Sequence, residues 1–449
     1  MDETVEDVTA AIARLRQSHA DILTPMPQVD IINSLAAVAE CWRDPAYPPR
    51  IEAEAWQEPF PFAMVQVSLD ALLDSLTPEA LWALIDAEDA RNVQGYPVIG
   101  HIIAGNTPLL AWVSIIRALL VRSASFVKLP SGPAAEWGKL FCHSLFQVSP
   151  NLRRCVELAE WPGGTTELDA ALCGGVDLVM AHGSDATMRD LRVLCPPQMP
   201  FVGYGHRVSF GLVTRGNANA EAAAEFAKDV LLYDQGGCLS PQTVFVEGDW
   251  QVALDFAQRL ADTFPTVAAR YPLPSRAERA GAVVREAREL AWMGEGTRLW
   301  EDPNLCWTVI ARPQATFALS PIFGVVSVQP LASLEDLPEA IMPVAGYLQG
   351  CAVAGEAADY VPCLSYLCKP GELQAPPLSW RQDGRDVLRV LTPPRPYRAD
   401  GSTNTRVSAE SVSGETSSVE EGWRTTCAGS NRANRSSMGR RFRLILPFW

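Results

Sequence analysis

Apolar positions at the start of the chain recur at helical spacing. Val5, Val8, Ile12 and Leu15 form one stripe, and a second helix is expected over Ile31 to Trp42, ended by Asp44-Pro45-Ala46-Tyr47-Pro48-Pro49. Another pair follows at Ser68 to Leu76 and from Thr77-Pro78, with Thr77 placed to cap and Pro78 at the first helical position. From Pro97 the period changes. Short apolar runs at Pro97 to Ala104, Ser125 to Leu129 and Val176 to Ala181 read as buried strands. Helices are expected between and after them: one capped by Thr107, with Pro108 just inside, running to about Val121, and one over Ala186 to Leu194 behind the turn Gly183-Ser184-Asp185. Alternation of this kind implies a parallel, doubly wound sheet, in which ligands bind where strands end and helices begin.

A second α/β pattern begins beyond the strand Val208 to Val213. It runs through a helix at Ala220 to Leu232, a strand at Thr243 to Val246, helices at Trp250 to Phe264 and Arg276 to Ala291, a strand at Phe323 to Val328 and a helix at Leu334 to Leu348. The expected division is a helical leading region (1–94), a dinucleotide-binding domain (95–208), a catalytic domain (209–355), a return segment packing on the first domains (356–398) and a disordered tail (399–449). Composition marks the tail: residues 401–449 are dominated by Ser, Thr, Gly and Arg, lack Lys and Asp, and show no period.

At 449 residues the chain is too long for one ordinary core. A net charge of −15 argues against a nucleic-acid surface, which needs clustered Lys and Arg. A local basic pocket for a small anion remains compatible with it. The eleven cysteines, odd in number and without C-x-x-C pairing, point to a reducing compartment. No secretory signal is read at the acidic N-terminus, and the most apolar window, Ile102 to Val127, is broken by Asn106, Thr107, Pro108, Arg117 and Arg122. The expectation is a cytoplasmic protein.

One stretch carries chemistry. Asp234-Gln235-Gly236-Gly237-Cys238-Leu239-Ser240-Pro241-Gln242 joins the Ala220 helix to the Thr243 strand, and its two glycines let the backbone turn, and a ligand approach, directly before a cysteine. Cys238 is the candidate nucleophile; the alternative is a small buried apolar residue, the usual fate of a free cysteine. This run resembles the active-site loop of the aldehyde dehydrogenase superfamily, and within it the LuxC-type fatty acyl-CoA reductases. The resemblance extends, in order, over roughly Pro97 to Arg389.

The resemblance implies an aldehyde dehydrogenase-like α/β fold, a doubly wound cofactor-binding domain with a second α/β catalytic domain. It assigns Asn106, in Gly105-Asn106-Thr107-Pro108, to the oxyanion, although Asn there is also ordinary turn chemistry. Lys128 and Ser131 fall in the segment that contacts the cofactor's adenosine ribose. No Asp or Glu follows until Glu136, which favours NADPH over NADH. Gly183 and Ser184 resemble the turn where a helix N-terminus meets the cofactor's phosphate, and Phe323 lies in the segment that grips the nicotinamide ribose, here without its glutamate. Gly203-Tyr204-Gly205-His206-Arg207 occupies the place where oxidising members carry a water-activating glutamate. That loss suits an enzyme whose acyl intermediate must avoid water, and leaves His206 or Arg207 for a leaving thiolate or a phosphate, or His206 as a structural residue.

The implied activity is NADPH-dependent reduction of a fatty acyl thioester, acyl-CoA or acyl-carrier protein, to the aldehyde. Two alternatives stay open: a CoA-acylating aldehyde dehydrogenase running in the oxidative direction, and a non-catalytic acyl- or cofactor-binding subunit. A homo-oligomer or acyl-transfer partner subunits are compatible with each, and Arg153-Arg154 is the basic patch an acidic carrier would need. No metal is implied.

Overall fold

The computed structural model describes residues 3–273, 278–361 and 364–394, so the expected tail lies outside the described residues. Five helices lead: α1 (Val5–Ser18), α2 (Gln28–Arg43), α3 (Pro48–Glu54), α4 (Phe62–Asp74) and α5 (Pro78–Ala87). Thr77 caps α5 by accepting the Ala80 N–H at 3.2 Å. Helix α4 starts well before Ser68, directly after Pro61, whose fixed φ of −57° leads the chain into the helix.

The first sheet is built from β1 (Val98–Ile102), α6 (Leu110–Leu120), β2 (Ala124–Leu129), α7 (Ala135–Val148), β3 (Val156–Glu160), α8 (Thr166–Gly175), β4 (Leu178–His182), α9 (Asp185–Leu194) and β5 (Phe201–Tyr204). Its five parallel strands run in the order β3-β2-β1-β4-β5. The order reverses between β1 and β4, and the crevice above their carboxyl ends is where such sheets receive ligands. Thr107 does not cap α6, which starts at Leu110 without a side-chain cap. The segment before it is drawn toward the second sheet instead, by the hydrogen bond from Asn106 to Gly236.

The second sheet follows with β6 (Val208–Val213), α10 (Ala220–Leu231), β7 (Pro241–Glu247), α11 (Trp250–Arg270), α12 (Glu278–Trp292), β8 (Arg298–Glu301), β9 (Thr308–Ala311), β10 (Val325–Leu331), α13 (Leu337–Ile341), β11 (Leu348–Ala354) and β12 (Tyr366–Cys368). Strand order is β12-β11-β6-β7-β10-β9-β8, parallel except for β8 against β9. Two expectations are corrected. The helix expected over Leu334 to Leu348 breaks into α13 between tighter turns at Leu334–Asp336 and Met342–Tyr347, because Pro338 and Pro343 interrupt the backbone donors. The strand expected from Phe323 begins at Val325, because Ile322, Phe323 and Gly324 are left-handed, with φ of 64°, 59° and 71°.

The leading helices and the first sheet share one core, with Trp42, Trp112 and Trp137 fully buried in it. The Trp42 and Trp112 rings meet edge to face at 4.9 Å, and the Trp112 indole donates to the Trp137 carbonyl at 2.7 Å. The segment after β12 returns to this core with Leu378, Val387, Leu388 and Leu391. Its N–H groups at Val387, Leu388 and Arg389 converge on the Glu88 carboxylate at 2.8, 2.7 and 3.0 Å. The buried Arg117 donates to the Leu378 and Trp380 carbonyls at 2.8 and 3.2 Å. Buried Asp229, on α10, takes the Gly371 and Leu373 N–H groups at 2.7 and 3.2 Å. Among the described residues no single helix is long and apolar enough to cross a membrane.

Register puts His101, His182 and Tyr204 on one face of the first sheet, where the His182 and Tyr204 rings stack at 4.8 Å. Both histidines are buried, and desolvation holds each at about 3 against an ordinary 6.5. Below pH 6.5 the unfolded chain therefore takes protons that the folded chain refuses, so stability falls with acidification from about 6.5 toward 3. Asp229, pushed up to about 8 by burial, contributes with the opposite sign. Comparing His101→Leu with the parent isolates one histidine: between about pH 6.5 and 4.5 the variant's melting temperature should fall less steeply than the parent's, measured by thermal melts across that range.

Candidate active site

After α10 the backbone takes three consecutive left-handed residues, Tyr233, Asp234 and Gln235, with φ of 57°, 52° and 62°. Each such residue costs roughly 1–2 kcal/mol, so the turn persists only under outside constraint. The constraints are specific. The buried Gln235 amide donates to the Pro241 and Val325 carbonyls, both at 2.9 Å, and accepts from the Ser320 hydroxyl at 3.3 Å. The Phe323 N–H reaches the Asp234 carbonyl at 3.2 Å, which ties the left-handed loop ahead of β10 to this one. Tyr233 is anchored in the leading helices: its hydroxyl bonds to Ser68 and to the Met64 carbonyl, and its ring meets Phe60 at 5.3 Å.

The loop then delivers Cys238. Its carbonyl accepts from the Ser209 hydroxyl at 2.9 Å, and that hydroxyl accepts from the Gly350 N–H at 3.1 Å. At Gly237 a Cβ would lie 2.7 Å from the Gln374 Oε1, whose amide bonds the Ser240 hydroxyl at 2.9 Å, so glycine is what lets the return segment brace the loop. Cys238 is half-buried and packs against the apolar cluster of the second sheet. Desolvation pushes its thiol up to about 12, with Asp383 raising it further and Arg207 lowering it; the N–H groups of Cys238 and Leu239 also favour the anion.

The structure brings Asn106 to this loop. Its amide donates to the Gly236 carbonyl at 2.8 Å, two residues before the thiol, and retains a second N–H. Lys128 and Ser131 lie at the carboxyl end of β2, and Gly183 and Ser184 at that of β4, on either side of β1. Ser184 caps α9 through the Thr187 N–H at 3.1 Å. Lys128 is buried, which lowers its pKa, while Asp169 and Glu160 raise it. Ser131 is exposed. Strand pairing sets Glu160 against Leu129, an acidic group the local sequence hides; Lys139 holds it at 2.5 Å and Glu136 at 2.7 Å. Phe323 sits in the loop bonded to Asp234.

His206 donates its N–H to Asp185 at 2.8 Å, and its Nε2 is buried without a partner. Arg207 makes a two-pronged pair with Asp383, at 2.9 and 2.7 Å. The local sequence gives no hint of Asp383, Gln374 or Ser209 as site-forming, and Gln235 stands in the nucleophile stretch without an assigned role. Among the described residues no group of three or more His, Cys, Asp or Glu side chains is placed to hold a metal.

The sequence model of the family described as acyl-CoA reductase (LuxC) matches residues 23–371. The chain belongs to the LuxC family. Its relatives include the long-chain acyl-protein thioester reductases of Photorhabdus laumondii, 28% identical over 33% of this chain and 32% of that one, and of Aliivibrio fischeri, 24% identical over 53% and 49%. The LuxC-family chain thus spans about a third to a half of the length of the curated relatives it matches. Its fold is that of the aldehyde dehydrogenases: an NAD-dependent benzaldehyde dehydrogenase from Corynebacterium glutamicum superposes with a TM-score of 0.66 at 16% identity, over 82% of this chain and 86% of that one. The putative aldehyde dehydrogenase PutA from Anabaena variabilis gives 0.58 at 18% identity, over 82% and 85%.

Because the Gln235 amide bridges two buried carbonyls across the loop, that of Val325 shared with the Ser320 hydroxyl at 2.6 Å, Gln235→Ala should cost about 1–3 kcal/mol, read as a lower urea midpoint at unchanged slope.

Proposed function

We propose that this protein reduces a fatty acyl thioester, carried by CoA or by an acyl-carrier protein, to the aldehyde through an acyl-cysteine at Cys238, with NADPH as reductant. The observation that carries this reading is the junction of two loops: Cys238, half-buried after its double-glycine turn, and Asn106, bonded to that same turn from the first sheet. The names of the LuxC-family relatives support it.

The chemistry divides between named atoms. The Cys238 Sγ, as thiolate, attacks the thioester carbonyl carbon and forms the new C–S bond. In this reading the resulting oxyanion is met by the Asn106 amide and the Cys238 N–H, both neutral donors. The tetrahedral carbon collapses, the carrier's thiolate leaves and takes up a proton, and the acyl group stays on sulfur. When bound, the nicotinamide supplies the hydride that this acyl carbon requires. The alkoxide on sulfur-bound carbon then re-forms its C=O, releasing aldehyde and returning the thiolate. The segment Gly203 to Arg207, where oxidising members of the resembled superfamily carry a water-activating glutamate, holds none here, so nothing in it diverts the intermediate to acid.

The residues present fit a dinucleotide. The β1/β4 crevice is bordered by the Ser184-capped start of α9, which suits a phosphate. At the end of β2, Gly132 has open space where a Cβ would stand, next to exposed Ser131. Lys128 and Ser131 favour a 2′-phosphate there, and the Lys139 ammonium offsets Glu160. The exposed Arg153 and Arg154 offer an acidic carrier a contact.

A second reading, a binding subunit without turnover, draws on the Cys238 thiol being held near 12 in the free protein. Intact mass after incubation with acyl-CoA or acyl-carrier thioester separates the two. The enzyme should gain one acyl group, lost again on adding NADPH, whereas Cys238→Ala and Cys238→Ser should gain none; normal turnover in either variant would end the proposal. Initial rates with NADPH should exceed those with NADH, and a strong preference for NADH would remove the 2′-phosphate from the reading.

A further inference from the structure

Arg207 and Asp383 form a fixed charge pair at the edge of the nucleophile loop. The Arg207 Nε and Nη2 donate to the two Asp383 oxygens at 2.9 and 2.7 Å, and its Nη1 donates to the His206 carbonyl at 2.8 Å. A guanidinium with all three nitrogens engaged does not swing freely. The Asp383 side chain is only 6% exposed and that of Arg207 22%, so the pair is poorly screened. Asp383 holds a left-handed φ of 55° followed by Gly384 at 70°, in a short turn of the return segment that Glu88 and Arg117 pin to the first core.

Both partners are tied to Cys238 through the backbone. Arg207 stands two residues before Ser209, whose hydroxyl holds the Cys238 carbonyl at 2.9 Å. Asp383 stands three residues after Trp380, which borders the same apolar cluster as Cys238. Both charges act on the thiol, with opposite signs. Of the other groups near the loop, Tyr366 and Cys368 border the same cluster and are pushed above their ordinary ranges, so both stay neutral near pH 7. His206 is lowered by burial and engages Asp185 through its N–H.

We propose that the Arg207–Asp383 pair sets the ionisation of Cys238. Arg207 is the cation that favours the thiolate, and Asp383 is a positioning residue that fixes Arg207 in place and at the same time cancels part of its field. The inference rests on the reading of Cys238 as the nucleophile. It explains how this loop can hold a protonated thiol at rest while keeping a fixed cation two residues from the serine that bonds the Cys238 carbonyl. It also gives the return segment a part in the chemistry, because the carboxylate that governs the cation arrives on it.

The test is the pH dependence of alkylation of Cys238 by iodoacetamide in the full chain, read by peptide mass mapping and needing no substrate. Removing the negative charge in Asp383→Asn should make the anion easier to form. Its apparent thiol pKa should fall and alkylation at pH 7.5 should rise about tenfold, the effect of one pKa unit on the thiolate fraction. Arg207→Gln should move both quantities the other way, and the double variant Arg207→Gln/Asp383→Asn should lie between the two, near the parent. Simple loosening of the loop would instead accelerate both single variants. Single variants shifting in the same direction, or an unchanged profile in Asp383→Asn, would overturn the proposal. Should Arg207→Gln fail to fold, the signs of Asp383→Asn and of the double variant still decide. A chain that shows these opposite shifts but gains no acyl group from thioesters would lose the reductase reading and keep this one; acyl transfer without the shifts would do the reverse.

Discussion

The candidate site depends on a turn that its own residues disfavour. Tyr233, Asp234 and Gln235 occupy the left-handed region with full side chains, where glycine would be at ease. What holds them there comes from four parts of the chain: helix α4 through Ser68, the loop ahead of β10 through Phe323, the carbonyl at Val325, and β7 itself at Pro241. The Asn106 bond to Gly236 then fastens the first sheet to the same turn. A loop strained in isolation and satisfied only by distant partners has one geometry, and a nucleophile needs one geometry.

The electrostatics around Cys238 follow from the same closeness. Crowding around Cys238 removes the water that would stabilise its anion, and the compensating donors are few: two backbone N–H groups and one cation already shared with a carboxylate. A thiol so placed is quiet in the free protein.

Much of the architecture was legible in the sequence because strand and helix periods are local signals. The runs at Val98, Ala124, Leu178 and Val208 are β-branched and apolar, and parallel strands buried on both faces leave that trace. Thr77-Pro78 announced a helix start by capping chemistry alone. Thr107-Pro108 carried the same signal and misled, because a tertiary contact from Asn106 outweighed a local cap. The helix expected past Leu334 failed on two prolines that were in plain view. At the site, Cys238 and its glycines could be seen; Gln235, Ser209 and Gln374 could not, since a brace is defined by what lies opposite it in space. Glu160 illustrates the same limit: it is remote from Lys128 in the chain and becomes its neighbour only through the register of β2 with β3.

The return segment has a consequence for how the molecule comes into being. Until residues 371–391 have been synthesised, the Glu88 carboxylate lacks its three amides, Arg117 its two carbonyls, Asp229 its two N–H groups and Ser240 the Gln374 amide. Each is a polar group that the earlier part of the chain would otherwise shut away unsatisfied. A nascent chain therefore completes the surroundings of the Cys238 sulfur only once the return segment has left the ribosome, and until then that thiol sits in a loop lacking its brace.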